Sequence, residues 1–436
     1  MVYFLYNLVT HIFTLVLLPI YLLKAIFRKK YRRAIRDRLG FLSAEFYEAV
    51  VGKKVVWIHA ASIGEVNIAK RLINELREEN LDLKFVLSTS THSGRQMAKN
   101  KLDEEVEVIL LPMDLFWIIG PVLAKVKPEL SIIVEPDLWP NFVYFAKKYG
   151  EKVMMVNTWI GKKSIGQYLW LPGLLPAMLK RLDKCTVQTE TDLEKIEKYC
   201  SNEFDEDKYK ITGNIKFDQL EIDLQESDYD QLLEKYHLKS ETPLFIAGST
   251  HPGEEEIILK SYQELKEEFD DLILLIAPRH IERAADIVNL CQDYGFVTVK
   301  KTELVNKSSR EAEVIILDTI GELTKVYVLG SIVFIGGTLI DQGGHNLLEP
   351  AAQGNPVLFG PHNYNCQESA ELLEQEGVGF KVKSQTELVA KAKSLLADKD
   401  HLTRVGENAK RLIIANQGAI KENINLISEF LIKGGE

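Results

Sequence analysis

The sequence predicts an α/β protein with two Rossmann-like domains, and three observations support this fold class. The chain has 436 residues, which is more than one hydrophobic core ordinarily organises. Its content of 46% hydrophobic and 27% charged residues is that of an ordinary folded protein. From residue 55 onward, short runs rich in Val and Ile alternate with longer segments of helical period, a pattern typical of parallel sheets covered on both faces.

The predicted strands form two groups, separated by an acidic and polar stretch. The first group covers residues 55–59, 84–90, 106–112, 130–135, 152–157, 185–189 and 208–213. The second covers residues 244–249, 272–278, 296–300, 313–318, 331–337 and 356–360. Two or three amphipathic helices are predicted between Gln385 and Lys433. The predicted organisation is a membrane-anchor helix with a basic segment at residues 1–40, Rossmann-like domains at residues 41–218 and 243–436, and a linker at residues 219–242.

The first forty residues combine an apolar segment with a basic one. Residues Tyr3 to Leu23 are mostly apolar and, at ~1.5 Å per residue, long enough to cross a bilayer. Residues 1–38 hold eight Lys or Arg and one Asp, a net +7, so the remainder must hold −17 to give the net charge of −10. The basic run favours the cytoplasmic leaflet, which predicts a membrane-bound protein whose domains face the cytoplasm. The alternative is a helix that lies in the membrane interface.

The composition also excludes several classes of function. An acidic body argues against nucleic acid as a partner, because phosphate neutralisation needs clustered Lys and Arg. The four cysteines lie far apart, without the spacing of metal ligands, and are typical of reduced cytosolic thiols. The chain has no HExxH, Walker or G-x-S-x-G motif. We therefore expect no metal and no cofactor.

The turn after the first strand carries the candidate catalytic residue. It reads His59-Ala60-Ala61-Ser62-Ile63-Gly64-Glu65 and opens into a helical segment. Ser62 is a suitable N-cap, and Gly64 lets a ligand approach the backbone. Glu65 is a candidate general base if apolar surroundings raise its pKa. The alternative is a carboxylate that only stabilises the helix dipole.

A second crowded turn follows the fourth strand, where Glu135, Asp137 and Trp139 alternate with two prolines before Asn141. The prolines fix the turn, and Trp139 offers a flat apolar face to a sugar or an acyl chain. The alternatives are core packing for Trp139 and helix capping for Asp137. We assign Ser62, Gly64, Glu135 and Asn141 to the acceptor side of the candidate site.

In the second half, two strand ends predict a phosphate site. The first ends in Gly248, Ser249 and Thr250, followed by a helix that opens with Glu254-Glu255-Glu256. Free amides and hydroxyls at such a helix start suit a phosphate, although the acidic residues could serve only the helix dipole. The next strand ends at Arg279, whose planar guanidinium suits a phosphate or carboxylate; an exposed ion pair is the alternative.

The densest group of candidate residues lies between residues 336 and 363. Paired glycines at Gly336-Gly337 and Gly343-Gly344 allow close approach of a nucleotide. A helix predicted to start near His345 would direct its amides at a phosphate. Glu349, one turn later, is placed to accept hydrogen bonds from ribose hydroxyls.

These motifs together resemble the Kdo (3-deoxy-D-manno-octulosonic acid) transferases of lipopolysaccharide synthesis, which adopt the glycosyltransferase B fold. The resemblance runs from the N-terminal segment to about residue 380. Its motifs are WIHAASIGE (57–65), the acidic turn before LWPN, GNIKFD (213–218), AGST (247–250), APRHIER (277–283), DTIGEL (318–323), GGT (336–338) and GGHNLLEPAA (343–352). Two stretches depart from the family pattern, Glu135-Pro136-Asp137 and Asn157-Thr158-Trp159, and both lie on the acceptor side.

The resemblance implies an inverting, metal-independent transfer of Kdo from CMP-Kdo to a lipid A precursor, with inner-membrane lipids as further partners. By that likeness Glu65 is the catalytic base. The implied donor site comprises Lys216, Gly248, Ser249, Thr250, Arg279, Gly337, His345, Asn346 and Glu349. Two alternatives remain: a UDP-sugar transferase or sugar-nucleotide epimerase of the same fold, and a non-catalytic membrane-bound scaffold that binds lipid or protein.

Overall fold

The computed structural model describes residues 1–27, 35–79, 82–161, 166, 168, 170–200, 204–220, 222, 226–306 and 312–433. Most of the predicted basic run, from Arg28 to Arg33, lies outside these described residues. The chain forms two compact units, one of residues 1–218 with 417–436 and the other of residues 219–416.

The first unit contains a parallel seven-stranded sheet in the order β3-β2-β1-β4-β5-β6-β7. Its strands are β1 (Val55–His59), β2 (Lys84–Thr89), β3 (Glu107–Leu110), β4 (Leu130–Val134), β5 (Lys152–Thr158), β6 (Lys184–Val187) and β7 (Tyr209–Ile211). Its helices include α1 (Val2–Phe27), α2 (Ala44–Val50), α3 (Ile63–Glu78), α4 (His92–Lys101), α5 (Phe116–Val126), α6 (Pro140–Tyr149), α7 (Leu174–Leu179) and α8 (Glu190–Cys200). The strand order reverses between β1 and β4, which pair directly, so their carboxyl ends open the crevice where such sheets bind ligands.

Burial explains why these strands read as continuous apolar runs. Every residue of β1 and of β4 is buried, because helices cover the sheet on both faces. One core contains Trp57 and Phe142, and the core on the opposite face contains Ile58 and Ile68. Helix α3 begins immediately beyond β1, and α6 begins shortly after β4. This arrangement brings the two predicted turns to the same edge of the sheet.

The second unit contains another parallel seven-stranded sheet, in the order β10-β11-β9-β8-β12-β13-β14. Its strands are β8 (Leu244–Thr250), β9 (Ile273–Pro278), β10 (Thr298–Lys300), β11 (Val314–Ile316), β12 (Ile332–Ile335), β13 (Val357–Phe359) and β14 (Gly379–Lys381). Its helices include α9 (Glu226–Tyr236), α10 (Glu254–Lys266), α11 (Ala284–Asp293), α12 (Leu323–Val326), α13 (Leu348–Ala352), α14 (Gln367–Gln375), α15 (Gln385–Ala397) and α16 (Lys399–Ala415). The two parallel-sheet domains predicted from sequence are confirmed.

The last helix, α17 (Ala419–Lys433), belongs to the first unit. Its residues Ile420, Ile424 and Ile427 are buried in the core that α3 also lines. Asp218 accepts hydrogen bonds from the amides of Gly418, at 2.5 Å, and Ile420, at 2.7 Å, and so caps the helix. Prediction from sequence extends the second domain to residue 436, whereas the structure groups residues 417–436 with the first unit, because the apolar face of α17 packs there.

Helix α1 packs one face against the first unit. The hydroxyl of buried Tyr6 donates to Asp114 at 2.8 Å, and Asn7 exchanges hydrogen bonds with Asn141. The indole of Trp117 donates to His11 at 2.8 Å. These contacts explain two of the polar residues that interrupt the apolar segment, Asn7 and His11.

Among the helices in the described ranges, the structure contains none with both the length and the apolar character needed to cross a membrane. The membrane-anchor helix predicted within residues 1–40 is therefore not supported.

Candidate active site

Glu65 lies in the first turn of α3, held by the residues before the helix. The hydroxyl of Ser62 accepts from the Glu65 amide at 3.3 Å, and the Glu65 carboxylate accepts from the Ala61 amide at 2.6 Å. The arrangement differs from a capping box only in that the Glu65 carboxylate reaches the amide before the N-cap, not that of the N-cap Ser62. Gly64 is exposed, and a Cβ there would meet only Ser62, at 3.8 Å.

The environment of Glu65 suits proton transfer at neutral pH. The side chain is buried, and burial raises its pKa to about 7, with a further contribution from the negative charge of Glu135. A carboxyl group with a pKa near neutrality is a competent general base. The structure thus supplies the raised pKa that the sequence-based hypothesis requires.

Glu135 follows β4 in the left-handed region, at φ 60°. A non-glycine residue there costs on the order of 1–3 kcal/mol, and such strain is concentrated at functional sites. Lys216 pairs with its carboxylate at 2.7 Å, while Asn157 and Trp159 donate to it at 3.3 and 3.4 Å. The structure therefore brings Glu135 and Lys216 together, and places Lys216, which the family resemblance implies for the donor site, in the first unit.

A second network at this edge centres on Asp137. Its carboxylate is hydrogen-bonded to His59 at 3.1 Å, Ser90 at 3.0 Å and Trp139 at 3.0 Å. Burial alone would raise the pKa of Asp137, but these hydrogen bonds hold it below its ordinary value. On its other nitrogen, buried His59 meets the hydroxyl of Ser88 at 2.9 Å. Sequence reasoning missed His59 and Ser90; their position at the ends of adjacent strands was the available signal.

Buried Asn141 lies in a different network. Its side chain donates to the carbonyl of Asp114 at 2.7 Å and to Asn7 at 2.8 Å. The carboxylate of Asp114 accepts from the amides of Asn141 and Phe142 at 2.9 and 2.7 Å, so it caps α6. In the described part of the chain, no hydrogen bond joins Asn141 to Glu65 or Glu135.

In the second unit, β8 ends in a tightly packed turn. Ser249 has φ 57°, and a Cβ on Gly248 would lie 2.4 Å from the Tyr327 hydroxyl, so only glycine fits there. Thr250 is buried, and its hydroxyl donates to Glu255 at 2.9 Å. Glu255 is in turn paired with Arg283 at 2.8 Å. The Thr250 hydroxyl is therefore already hydrogen-bonded within the protein and stabilises the turn.

Buried Glu254, in the first turn of α10, accepts hydrogen bonds from backbone amides, whereas the sequence predicts that the amides at this helix start are free. Its carboxylate accepts from four backbone amides: Gly337 at 2.7 Å, Thr338 at 3.1 Å, Leu339 at 3.0 Å and His251 at 3.1 Å. Burial raises its pKa, although these amides act in the opposite direction. The Gly337 amide is thus occupied, and the first glutamates of α10 do more than serve the helix dipole.

Arg279 lies beside three histidines. The rings of His251 and His345 are parallel, with centroids 5.1 Å apart and a hydrogen bond of 2.8 Å between their Nε2 atoms, and His280 meets His251 edge-on at 6.1 Å. Burial, with the nearby charge of Arg279, lowers the pKa of His345 to about 4. Across the residues that the structure describes, the exposed Arg279 guanidinium makes no ion pair or hydrogen bond. This cluster can therefore offer hydrogen-bond donors and a positive charge to an anion.

Glu349 and Asn346 form a neighbouring pair. Asn346 donates to Glu349 at 2.9 Å, and Thr324 donates to its other oxygen at 3.1 Å. Asn346 also accepts from the Leu348 amide at 3.0 Å, which starts α13. The helix begins three residues later than the predicted start near His345 and spans only Leu348–Ala352, because Asn346 satisfies its first amide.

Comparison with known proteins gives consistent results. Residues 33–219 match the family model for 3-deoxy-D-manno-octulosonic-acid transferases. A 3-deoxy-D-manno-octulosonic acid transferase of Haemophilus influenzae is 31% identical over 411 residues, covering 92% of each chain. One from Aquifex aeolicus is 33% identical over 360 residues, covering 83% of this chain and 91% of the relative.

Solved structures show the same fold at low sequence identity. A glycosyltransferase from Rickettsia africae aligns with a TM-score of 0.56 at 15% identity, covering 87% of this chain and 99% of that one. The UDP-GlcNAc 2-epimerase of Neisseria meningitidis aligns with a TM-score of 0.57 at 15% identity, covering 87% of this chain and 100% of that one. At this identity the likeness concerns the fold alone, which matches the expected glycosyltransferase B type.

Proposed function

The chain belongs to the 3-deoxy-D-manno-octulosonic acid transferase family and is a glycosyltransferase, and on that premise we propose that it transfers Kdo from CMP-Kdo to a lipid A precursor. The observation that carries the proposal is Glu65, a buried carboxyl group with a pKa of about 7 at the crevice edge of the first sheet. The fold alone does not distinguish this activity from the epimerase and scaffold alternatives. Membership of the transferase family favours the transferase.

In the proposed reaction the first unit receives the acceptor. An acceptor hydroxyl oxygen attacks the anomeric carbon of Kdo while Glu65 takes its proton. The new carbon–oxygen bond forms as the bond to the phosphate oxygen of CMP breaks, so the configuration inverts. Glu135 and Lys216 are proposed to bind polar groups next to the reacting centre, with the exposed backbone at Gly64 open to the sugar.

The second unit is proposed to hold the donor. Arg279 and the imidazoles of His251 and His345 would bind the phosphate and stabilise the negative charge that develops on the departing cytidylate. Asn346 and Glu349 would accept hydrogen bonds from the ribose hydroxyls. Gly248 and Ser249 keep the end of β8 narrow, so that the donor would approach the backbone closely there.

We also propose that α1 contacts the cytoplasmic surface of the bacterial inner membrane. Several large apolar side chains of this helix are exposed, namely Phe4, Leu8, Ile12, Phe13, Leu15 and Val16. An apolar helix face with aromatic residues is typical of interfacial binding.

The decisive experiment incubates purified protein with CMP-Kdo and a lipid A precursor and measures the mass of the lipid. Addition of one or more Kdo residues is expected, and an unchanged mass would refute the proposed activity. A thermal shift assay with CMP and UDP tests the donor separately, since only the correct nucleotide should raise the melting temperature substantially. A larger shift with UDP would favour the UDP-sugar alternative.

A further inference from the structure

A cavity of about 590 Å³ lies between α1 and the rest of the first unit. Its walls include Tyr6, Val9 and Phe13 of α1, together with Leu115, Trp139 and Trp170. We refer to it as the α1 cavity. Its volume falls in the range of about 300–1,000 Å³ that small-molecule sites occupy.

The polar groups in its walls are already used within the protein. The Thr10 hydroxyl donates to the Tyr6 carbonyl at 2.9 Å, and the Thr14 hydroxyl donates to the Thr10 carbonyl at 2.7 Å. The Tyr6 hydroxyl donates to Asp114, and the Trp139 indole donates to Asp137. The surface left for an occupant is therefore mainly carbon, which suits hydrocarbon and disfavours a sugar.

The α1 cavity adjoins both an apolar surface and the candidate active site. Phe13 and Trp170, which line it, are also exposed, at 62% and 50%. Trp139, which also lines it, donates a hydrogen bond to Asp137, and Asp137 is hydrogen-bonded to His59 at the end of β1. An occupant that enters from the apolar surface would thus reach the crevice edge at which Glu65 lies.

We propose that the α1 cavity receives one acyl chain of the lipid acceptor and so positions the acceptor headgroup at the crevice edge of the first unit, an inference that rests on the proposed function. The chain inserts beside Val9, with Trp139 as the wall between hydrocarbon and headgroup. Acyl recognition is then separate from the chemistry at Glu65.

The test compares Val9→Phe, which fills the cavity, with Val51→Phe, which makes the same change at an exposed position of the first unit that does not line it. Each variant is assayed with CMP-Kdo and either the acylated lipid A precursor or its fully deacylated headgroup. Val9→Phe is expected to lower kcat/KM at least tenfold with the acylated acceptor and less than twofold with the deacylated one. Val51→Phe is expected to change neither by more than twofold.

Direct binding is measured with lysophosphatidylcholine that carries a nitroxide on its acyl chain, because Trp139 and Trp170 line the cavity. Quenching of tryptophan fluorescence is expected in the wild type and in Val51→Phe, and its loss is expected in Val9→Phe. If Val9→Phe does not fold, Phe13→Ala at the exposed mouth replaces it, with an expected loss of at least threefold confined to the acylated acceptor.

The outcomes distinguish this inference from the proposed function. An inactive wild type would overturn the proposed function, whereas an active wild type with Val9→Phe equal to Val51→Phe in both assays would overturn only the proposed acyl-chain site. If Val9→Phe loses binding to phospholipid vesicles but keeps its kcat/KM for the acylated acceptor, the cavity serves bulk lipid and the proposal fails.

Discussion

Both sheets reverse their strand order at the centre, but different side chains follow the strands there. In the first unit the candidate functional groups are carboxylates. Burial raises the pKa of Glu65 to about 7, and Glu135 lies in a strained turn. In the second unit the candidate groups are Arg279 and three histidines, while the carboxylates Glu254 and Glu255 are buried in the framework. The same topology therefore carries a candidate base in one unit and a candidate anion site in the other, and the difference depends on where the carboxylates are placed.

The largest expected effect tests the base in the first unit. Glu65→Gln keeps the shape of the side chain but cannot take a proton, so we expect kcat to fall on the order of 10³-fold. The CMP-induced thermal shift should remain, because the nucleotide is assigned to the second unit. Glu75→Gln, on the same helix and partly exposed, is the control and should keep full activity. Transfer by Glu65→Gln within tenfold of the wild type would exclude Glu65 as the base.

The next effect concerns the structural carboxylates of the second unit. Glu254→Ala leaves four backbone amides without their acceptor, and we expect a loss of about 3 kcal/mol in the free energy of unfolding. Chemical denaturation measures this loss. Glu256→Ala, two positions along α10, is the control with an expected cost below about 1 kcal/mol. Equal stability of the two variants would remove the distinction between functional and framework carboxylates.

The anion site is tested by Arg279→Ala. A guanidinium bonded to phosphate contributes about 1.5–3 kcal/mol, so CMP should bind roughly 10- to 100-fold more weakly in calorimetric titration. Arg404→Ala, an exposed arginine of the same unit, should bind CMP normally. Unchanged affinity in Arg279→Ala would place the nucleotide elsewhere.

The smallest effect is on pH dependence. Because Glu65 must be ionised to accept a proton, kcat/KM should rise with pH through about 7. Glu135→Gln removes a negative charge that raises the pKa of Glu65, so the rise should move to lower pH by roughly half to one unit. Glu151→Gln, at an exposed position, should leave the profile in place. A shift toward higher pH would contradict the proposed coupling.

The sequence allowed the strands to be predicted because central parallel strands are continuous apolar runs followed by turns. The approach fails where few residues carry the pattern, as in β14, which has three residues, two of them Gly379 and Lys381. The approach also places α17 in the wrong unit, because an amphipathic pattern shows that a helix has a buried face but not which unit that face packs against.

The site was predicted less completely, because residue type does not reveal which groups are already bonded. Thr250 and the amide of Gly337 look available in sequence, yet Glu255 and Glu254 occupy them. Asn141 looks like part of the acceptor turn, yet it is buried against Asp114. The roles assigned to Glu65, Arg279 and Glu349 remain proposals for the experiments above.

The placement of α17 has a consequence for biosynthesis. Its isoleucines complete the core beneath α3, and its buried Asn423 accepts from Thr186 at 2.7 Å. A ribosome makes these residues only after all of residues 219–416, so the amino-terminal half cannot reach its final packing when its own strands emerge. It must wait with an uncovered apolar surface, which exposes the nascent polypeptide to chaperones and to aggregation for longer than a self-sufficient domain.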